Sequence, residues 1–174
     1  KYGDGDINVQ QAVAESCNVA LMHMAATLGK NDFLVYQEIF NFGLKTNIDL
    51  AGESRTASLV HTKESLGDTE LATSSFGQGF NVTMIQEIAA FCSLVNGGNY
   101  YEPHMVERII SSDGSTVQNI APRVLKQTVS EETSKKLIQY CNSVVTEGTG
   151  KTARPAGYSI GGKTGTSEDG VNTG

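Results

Sequence analysis

The sequence predicts an α+β fold that is rich in helix and poor in sheet. Apolar residues recur at helical spacing, between polar caps and glycines, through most of the first hundred residues. Short β-prone runs surround an Asp113-Gly114 turn, which indicates a hairpin near 103–126. A last helix leads to a short predicted strand over 157–166, so we expect a mainly helical region over 1–150 followed by one or a few sheet strands.

Length and composition indicate one globular domain. The 174 residues are 39% hydrophobic and 18% charged, which is enough to bury a sizeable core. The net charge is −6 and lysine and arginine are not clustered, which argues against a nucleic-acid partner. No apolar run approaches the roughly 18 residues of a membrane span, so we expect the chain as given to be soluble. Cys17, Cys92 and Cys141 are too scattered for a zinc site or a disulfide framework, and we expect no metal and no cofactor.

Capping residues and glycines bound the predicted helices. These are Asn8–Glu15, Val19–Leu28, Asn31 or Asp32 to Gly43, Thr83 to Gly97-Gly98, and Ser130 to Gly148. Thr83 and Gln86 form a capping box, and the helix that follows is apolar nearly all round, so it is expected to be central and buried. The segment 149–152 is expected to be a flexible approach to the strand.

The strand over 157–166 ends in Gly161-Gly162-Lys163-Thr164-Gly165-Thr166. Lys163 offers an ammonium, Thr164 and Thr166 offer hydroxyls, and Gly165 leaves main-chain N–H groups accessible, so this segment is a candidate anion-binding shelf. Gly157 to Thr164 also fits the phosphate-loop pattern, but the intervening residues look like strand and nothing after Thr164 favours a helix. A strand that merely ends in a glycine turn is the third interpretation.

Ser16 and Asn18 lie two positions apart at a predicted helix boundary, where extended backbone would direct both side chains to one side. A hydroxyl can pass a proton and an amide can hold a peptide bond. The same two residue types are also common helix N-caps, and from this tripeptide alone capping is favoured over catalysis. The combination with Lys163-Thr164-Gly165 downstream favours catalysis, because serine acyl-transfer enzymes that act on penicillins carry both elements.

The ordered set of such motifs resembles the transpeptidase domain of a penicillin-binding protein, most closely the class B, monofunctional type. The motifs, in family order, are Glu15-Ser16-Cys17-Asn18-Val19, Ile48-Asp49-Leu50-Ala51-Gly52-Glu53, Ala72-Thr73-Ser74-Ser75-Phe76-Gly77-Gln78-Gly79 with Val82-Thr83, Asn96-Gly97-Gly98, Gly148-Thr149-Gly150 and Gly162-Lys163-Thr164-Gly165-Thr166. The resemblance implies a partial penicillin-binding-protein/β-lactamase-like fold, with most of a helical lobe and few strands of the active-site sheet.

The resemblance also implies roles for individual residues. Ser16 would relay protons, Asn18 would hydrogen-bond the acyl side chain, and Lys163 would bond Ser16 and set a positive potential. The substrate or β-lactam carboxylate would bind at Thr164, Gly165 and Thr166, with the Thr166 N–H as one oxyanion donor. Acyl transfer independently requires such donors and a nearby cation.

One family element is absent from the sequence. The family nucleophile lies in Ser-x-x-Lys, and no lysine here has a serine three positions before it. In family order that motif precedes Ser16, so we expect the chain to be an excised portion of the domain that a β-lactam does not acylate by itself. Thr46-Asn47, where the family usually has Thr-Gly, and Ser167, where it often has Ala, are lesser departures.

As partners, the resemblance implies peptidoglycan stem peptides and β-lactam antibiotics. The parent protein would be membrane-anchored at the extracytoplasmic face of the bacterial cell membrane, in division, elongation or sporulation. A penicillin-sensing binding module without turnover is the alternative, and a helical scaffold without chemistry is another. The exposed edge of the predicted strand further predicts self-association of the chain.

Overall fold

The computed structural model describes residues 5–165 and confirms the predicted α+β class. Two short 3₁₀-helices lie at Ala57–Leu59 and Lys151–Ala153. The helices are α1 (Val9–Ala14), α2 (Asn18–Leu28), α3 (Lys30–Ile39), α4 (Asp68–Ser74), α5 (Met84–Val95) and α6 (Glu131–Thr146). The strands are β1 (Asn99–Tyr101), β2 (Arg108–Ile110), β3 (Thr116–Asn119) and β4 (Val124–Gln127). Within the described range, none of the helices has the length and apolarity needed to cross a membrane.

The chain divides into two compact units. The first is built from the described parts of 1–33, 62–80 and 136–174, and the second from 34–61 and 81–135. In the first unit α2 packs against both α1 and α4. In the second, α5 packs against β1, which pairs with β4 in an antiparallel ladder.

Side-chain caps begin three helices, and those at Thr83 and Ser130 are the caps that the sequence predicts. The cap predicted at Asn31 or Asp32 is wrong, because α3 already begins at Lys30. Asn8 accepts from the Gln11 N–H and the Gln11 side chain accepts from the Asn8 N–H, which closes a capping box on α1. Thr83 and Gln86 close a second box on α5. The hydroxyl of Ser130 accepts from the N–H of Thr133 at the start of α6. Such caps are local interactions, so the sequence alone suffices to predict them.

The prediction that α5 is buried nearly all round is wrong. Its buried residues share one face and are mostly small or polar: Gln86, Ala89, Ala90 and Ser93. Met84 is 82% exposed and Ile88 is 57% exposed in this chain. Small side chains allow a close approach of neighbouring backbone, so this face packs tightly while Met84, Ile88 and Phe91 stay exposed.

The predicted hairpin is confirmed in the second unit. β2 and β3 pair antiparallel, with Arg108 opposite Asn119 and Ile109 opposite Gln118. Asp113 organises the turn, because its carboxylate accepts from the hydroxyls of Ser111 and Ser115 and from the Ser115 N–H. These bonds favour the charged form and hold the pKa of Asp113 at about 2, below its ordinary 3.8.

A lowered pKa in the folded state means that the Asp113 contribution is complete above about pH 4 and is lost as the pH falls toward about 2. We therefore expect the hairpin turn to loosen over this interval. The NMR signal of the Asp113 carboxyl carbon is expected to titrate with its midpoint at a pH well below the midpoint of the same carboxyl group in an unfolded peptide. In Asp113→Asn the turn should lose this pH response, and a wild-type midpoint near 3.8 would contradict the assignment.

The predicted strand over 157–166 is not formed in residues 157–165, which we call the lysine segment. A strand exists only through a ladder shared with a neighbour, and within the described range the four strands pair with one another instead. The lysine segment packs on α6: the Gly162 N–H donates to the Cys141 carbonyl oxygen at 3.1 Å. The remaining residue of the predicted strand, Thr166, lies outside the described residues.

Candidate functional site

The site begins at the C-terminal end of α1, where the chain turns through Ser16. The Ser16 N–H donates to the Val13 carbonyl oxygen and the Cys17 N–H to that of Ala12, which is the Schellman pattern of helix termination. Ser16 occupies the left-handed position of this motif, with φ +53°, where glycine is most common. The predicted extended backbone at Ser16 is therefore wrong, because helix termination imposes the left-handed conformation. The turn places the Ser16 hydroxyl just beyond the helix end.

Lys163 meets that hydroxyl. Its Nζ donates to Ser16 Oγ at 2.8 Å, across a sequence separation of 147 residues. The same ammonium donates to the Thr164 carbonyl oxygen at 3.0 Å and approaches Thr164 Oγ1 at 3.4 Å, which uses all three of its protons. Lys163 is exposed as a residue, yet desolvation lowers the pKa of its amino group, partly opposed by the Cys141 thiol. Nearby protein thus surrounds the cation enough to favour loss of its proton.

Thr149 connects Ala14 to Thr164, and so joins the contacts made by Ser16 and Lys163. The Thr149 N–H donates to the Ala14 carbonyl oxygen at 3.0 Å, and Thr149 Oγ1 donates to the same oxygen at 3.3 Å. Thr149 Oγ1 also lies 2.9 Å from Thr164 Oγ1. The end of α1 is therefore linked to the lysine segment directly through Ser16 and indirectly through Thr149, which bridges Ala14 and Thr164.

Residues 148–150 are anchored, so the prediction of a flexible approach at 149–152 is wrong for its beginning. Gly148 is buried, and a Cβ added there would overlap the Ala14 carbonyl. The Gly150 N–H donates to the Val144 carbonyl oxygen at 2.9 Å. The chain after α6 therefore packs so closely that Gly148 has no room for a side chain and Gly150 has little. This close packing holds Thr149, which lies between them, beside Ala14.

Helix α6 packs against the lysine segment and hydrogen-bonds to it. The Asn142 side-chain amide donates to Ser159 Oγ and to the Ile160 carbonyl oxygen, both at 3.2 Å. A Cβ at Gly161 would lie 3.0 Å from the backbone of Asn142, tighter than nearly all such contacts. The paired glycines predict that the backbone comes close to a neighbour, and this neighbour is helix α6.

The hydrogen bonds of Ser16 and Lys163 within the described range include none of the other predicted site residues, Asn18, Gly165 and Thr166. Asn18 is the first residue of α2, is exposed, and makes no side-chain hydrogen bond to the described part of the chain. Gly165 is exposed, with open space where a Cβ would lie, and Thr166 lies outside the described residues. The structure thus brings Ser16, Lys163 and Thr164 together and leaves Asn18 out of their contacts.

Two competing interpretations lose support. The N-cap position of α2 is Cys17, which makes no side-chain cap bond, so neither Ser16 nor Asn18 caps that helix. A phosphate loop requires a strand before the loop, and the described residues around Gly157 form none. Between residues 5 and 165 no group of three or more His, Cys, Asp or Glu side chains is placed to hold a metal ion.

The left-handed conformation of Ser16 predicts opposite effects of two substitutions. Ser16→Gly removes a steric cost of about 1–2 kcal/mol but adds backbone entropy, so stability is expected to stay equal or to rise slightly. Ser16→Val places a branched side chain where it fits poorly and is expected to lower the free energy of unfolding by about 1–2 kcal/mol. Denaturant unfolding of the two variants checks this, and equal stabilities would contradict the assigned backbone.

The whole chain, residues 1–174, matches the family described as the penicillin binding protein transpeptidase domain. The chain belongs to this family. Stage V sporulation protein D of Bacillus subtilis is 41% identical over an alignment of 167 positions, which covers 95% of this chain and 26% of that protein. A peptidoglycan D,D-transpeptidase FtsI homolog of Mesostigma viride is 31% identical over an alignment of 178 positions, which covers 93% of this chain and 29% of that protein. The chain spans little more than a quarter of the length of these curated relatives.

Solved structures agree with the family assignment. Penicillin binding protein 3 of Mycobacterium tuberculosis in its apo form aligns with a TM-score of 0.84 and 26% identity, over 95% of this chain and 38% of that one. The same protein complexed with ampicillin aligns equally well, over 95% of this chain and 37% of that one. The penicillin-binding-protein fold and the class B transpeptidase resemblance predicted from the motifs are thereby confirmed.

Sequence reasoning missed two members of the site. Thr149 appears in the motif Gly148-Thr149-Gly150, but a threonine between glycines carries no sign of its partner, the carbonyl of Ala14. Asn142 lies on a helix whose spacing indicates only an amphipathic face. The available indication was that Asn142 is a polar residue near the end of the helix, shortly before the glycine-rich segment 148–150.

Proposed function

We propose that this chain is part of a peptidoglycan D,D-transpeptidase that cross-links stem peptides by serine acyl transfer and is acylated by β-lactams. The observation that carries the proposal is the 2.8 Å contact between Lys163 Nζ and Ser16 Oγ, which joins the two penicillin-interacting motifs of the sequence. The similarity to a D,D-transpeptidase homolog and to a protein solved with ampicillin supports it.

In the proposed reaction a serine hydroxyl supplied from outside this chain attacks the carbonyl carbon of the penultimate D-Ala. The peptide bond to the last D-Ala breaks, D-Ala leaves with the proton, and an acyl ester remains. An amine of a neighbouring stem then attacks the ester, forms the cross-link and releases the serine hydroxyl. In a β-lactam the ring amide bond breaks in the first step, and its nitrogen stays attached to the acyl group.

The described residues suit definite parts of this reaction. Ser16, bonded to an ammonium, can relay a proton to the departing nitrogen, because a hydroxyl both donates and accepts. Lys163 supplies positive potential beside the reacting groups and lowers the energy of the developing negative charge. Thr164, with Gly165 and Thr166, would bind the substrate carboxylate. Asn18 would hold the acyl side chain from the start of α2, where its exposed side chain is available to a ligand.

Acylation of the full-length protein by benzylpenicillin tests the proposal. Mass spectrometry is expected to show one penicilloyl adduct on a serine outside residues 1–174, and the isolated chain is expected to show none. Release of D-Ala from a stem peptide, with product joined to an acceptor amine, would establish transpeptidation. Acylation without D-Ala release would instead indicate a penicillin-sensing module, and absence of any adduct would refute the proposal.

Location and assembly follow from the same proposal. Action on peptidoglycan requires the extracytoplasmic face of the membrane, and a membrane anchor would lie in the parent protein outside residues 5–165. Self-association was predicted from an exposed strand edge, and residues 157–165 form no strand that could offer one.

A further inference from the structure

We propose that Thr149 is a positioning residue for anion binding: its hydroxyl holds the Thr164 hydroxyl beside Lys163 and replaces the hydrogen bond that Thr164 gives up when it donates to a carboxylate. This inference rests on the proposed function, in which the carboxylate is the C-terminus of a peptide. The three side chains lie in a continuous chain of contacts, with Thr149 Oγ1 2.9 Å from Thr164 Oγ1 and Lys163 Nζ 3.4 Å from the same Thr164 oxygen.

Thr149 is held independently of its hydroxyl. Its N–H donates to the Ala14 carbonyl oxygen at 3.0 Å, and its neighbours Gly148 and Gly150 are buried against α1 and α6. The backbone therefore places Thr149 whether or not the side chain bears a hydroxyl. The hydroxyl remains available for a role in the site.

Counting protons assigns each hydroxyl a direction. Thr164 Oγ1 accepts from the Lys163 ammonium, so in the ligand-free site its single proton is available to donate to Thr149 Oγ1. The Thr149 proton then points to the Ala14 carbonyl oxygen, 3.3 Å away. Both hydroxyls donate once in this arrangement.

A bound carboxylate changes these directions without changing the positions of the oxygens. Thr164 turns its proton to the ligand, which leaves its oxygen ready to accept from Thr149. Thr149 can rotate its proton away from Ala14, because the Ala14 oxygen keeps the Thr149 N–H as a donor. No polar group loses its last partner, so the rearrangement costs little. Without the Thr149 hydroxyl, Thr164 would be held from one side only.

The test compares two peptides that end in D-Ala-D-Ala, one as the free carboxylate and one as the carboxamide. Binding is measured on the full-length protein with its acylated serine, outside residues 1–174, replaced by alanine, and this protein serves as the wild type of the comparison. Thr149→Val is expected to weaken binding of the carboxylate about three- to tenfold, since one hydrogen bond is worth about 1 kcal/mol. Binding of the carboxamide should change less than about twofold. Thr149→Ser keeps the hydroxyl and is expected to restore carboxylate binding.

Two controls separate this role from a structural one. Thr152 is exposed and makes no side-chain hydrogen bond to the described residues, so Thr152→Val should bind both peptides as the wild type does. In a Thr164→Val background, adding Thr149→Val should cause no further loss, because the partner hydroxyl is already gone. If Thr149→Val fails to fold, Thr149→Ala carries the same expectation.

Each outcome bears on the inference separately from the proposed function. Unchanged carboxylate binding in Thr149→Val, equal loss for both peptides, an unrestored Thr149→Ser, or a wild type that does not prefer the carboxylate would each overturn it. A protein that shows the Thr149-dependent preference but forms no penicilloyl adduct when its serine is intact would refute the proposed function alone.

Discussion

Replacing Lys163 by methionine is expected to lower the rate of β-lactam acylation of the full-length protein about 10²- to 10³-fold, the usual effect of removing one pre-organised donor to a developing charge. Methionine keeps the length of the side chain but removes the ammonium that contacts Ser16 Oγ and the Thr164 carbonyl. The second-order rate of labelling by a fluorescent penicillin measures the effect. Stability should change little, because Lys163 is exposed.

Lys151→Met is the matched control. Lys151 is an exposed lysine of the same unit, and its ammonium makes no hydrogen bond to the described residues, so acylation should proceed at the wild-type rate. If the acylation rate of Lys163→Met were within about threefold of the wild-type rate, the Lys163 cation would not be needed for the reaction. Equal losses in both variants would instead indicate a non-specific effect of charge.

The lowered pKa of Lys163 adds a pH dependence to this prediction. Nearby protein partly desolvates the Lys163 amino group although the residue is exposed, and this favours the neutral amine, so the ammonium is lost at a lower pH than that of an ordinary lysine. If the charged form is required, acylation should decline on the alkaline side as the pH rises through this lowered pKa. Lys163→Met should lack the decline, and its persistence there would assign the pH dependence to another group.

Gly148→Ala is expected to lower the free energy of unfolding by about 3 kcal/mol, at the upper end of the cost of overpacking. The new Cβ would overlap the carbonyl of Ala14, which is backbone and cannot rotate away as a side chain would. Relief requires moving the exit of α6 away from α1, which also breaks the Thr149 contact with Ala14. Acylation should therefore fall together with stability.

Gly162→Ala serves as the control for stability. Gly162 has nothing within 4 Å of its added Cβ and lies outside the left-handed region, so its unfolding free energy should change by less than about 1 kcal/mol. Denaturant unfolding of both variants gives the comparison. A Gly148→Ala protein as stable as Gly162→Ala would show that the α1–α6 contact is not rigid.

Features that depend on neighbouring residues were predictable. The capping box at Thr83 and the hairpin turn at Asp113-Gly114 each arise from side chains and backbone within a few positions of one another. The order of the motifs also sufficed to predict the family. Neither requires knowledge of which distant segments meet.

The burial of α5 and the form of the lysine segment were predicted wrongly for one shared reason. Apolar periodicity measures which side chains prefer burial, but the neighbouring elements decide which face is covered. In α5 the covered face carries Gln86 and Ser93. Alternating residues over 157–165 likewise favour a strand, but α6 lies beneath them and no described strand pairs with them.

The sequence by itself determined five of the six α-helices, the hairpin and the transpeptidase family, since these follow from local propensity and ordered motifs. Only the tertiary structure decided that Ser16 is left-handed and that Thr149 joins Ala14 to Thr164. The physical reason is distance along the chain: hydrogen bonds that span 135 and 147 residues exist only after the end of α1, the residues that follow α6 and the lysine segment have come together.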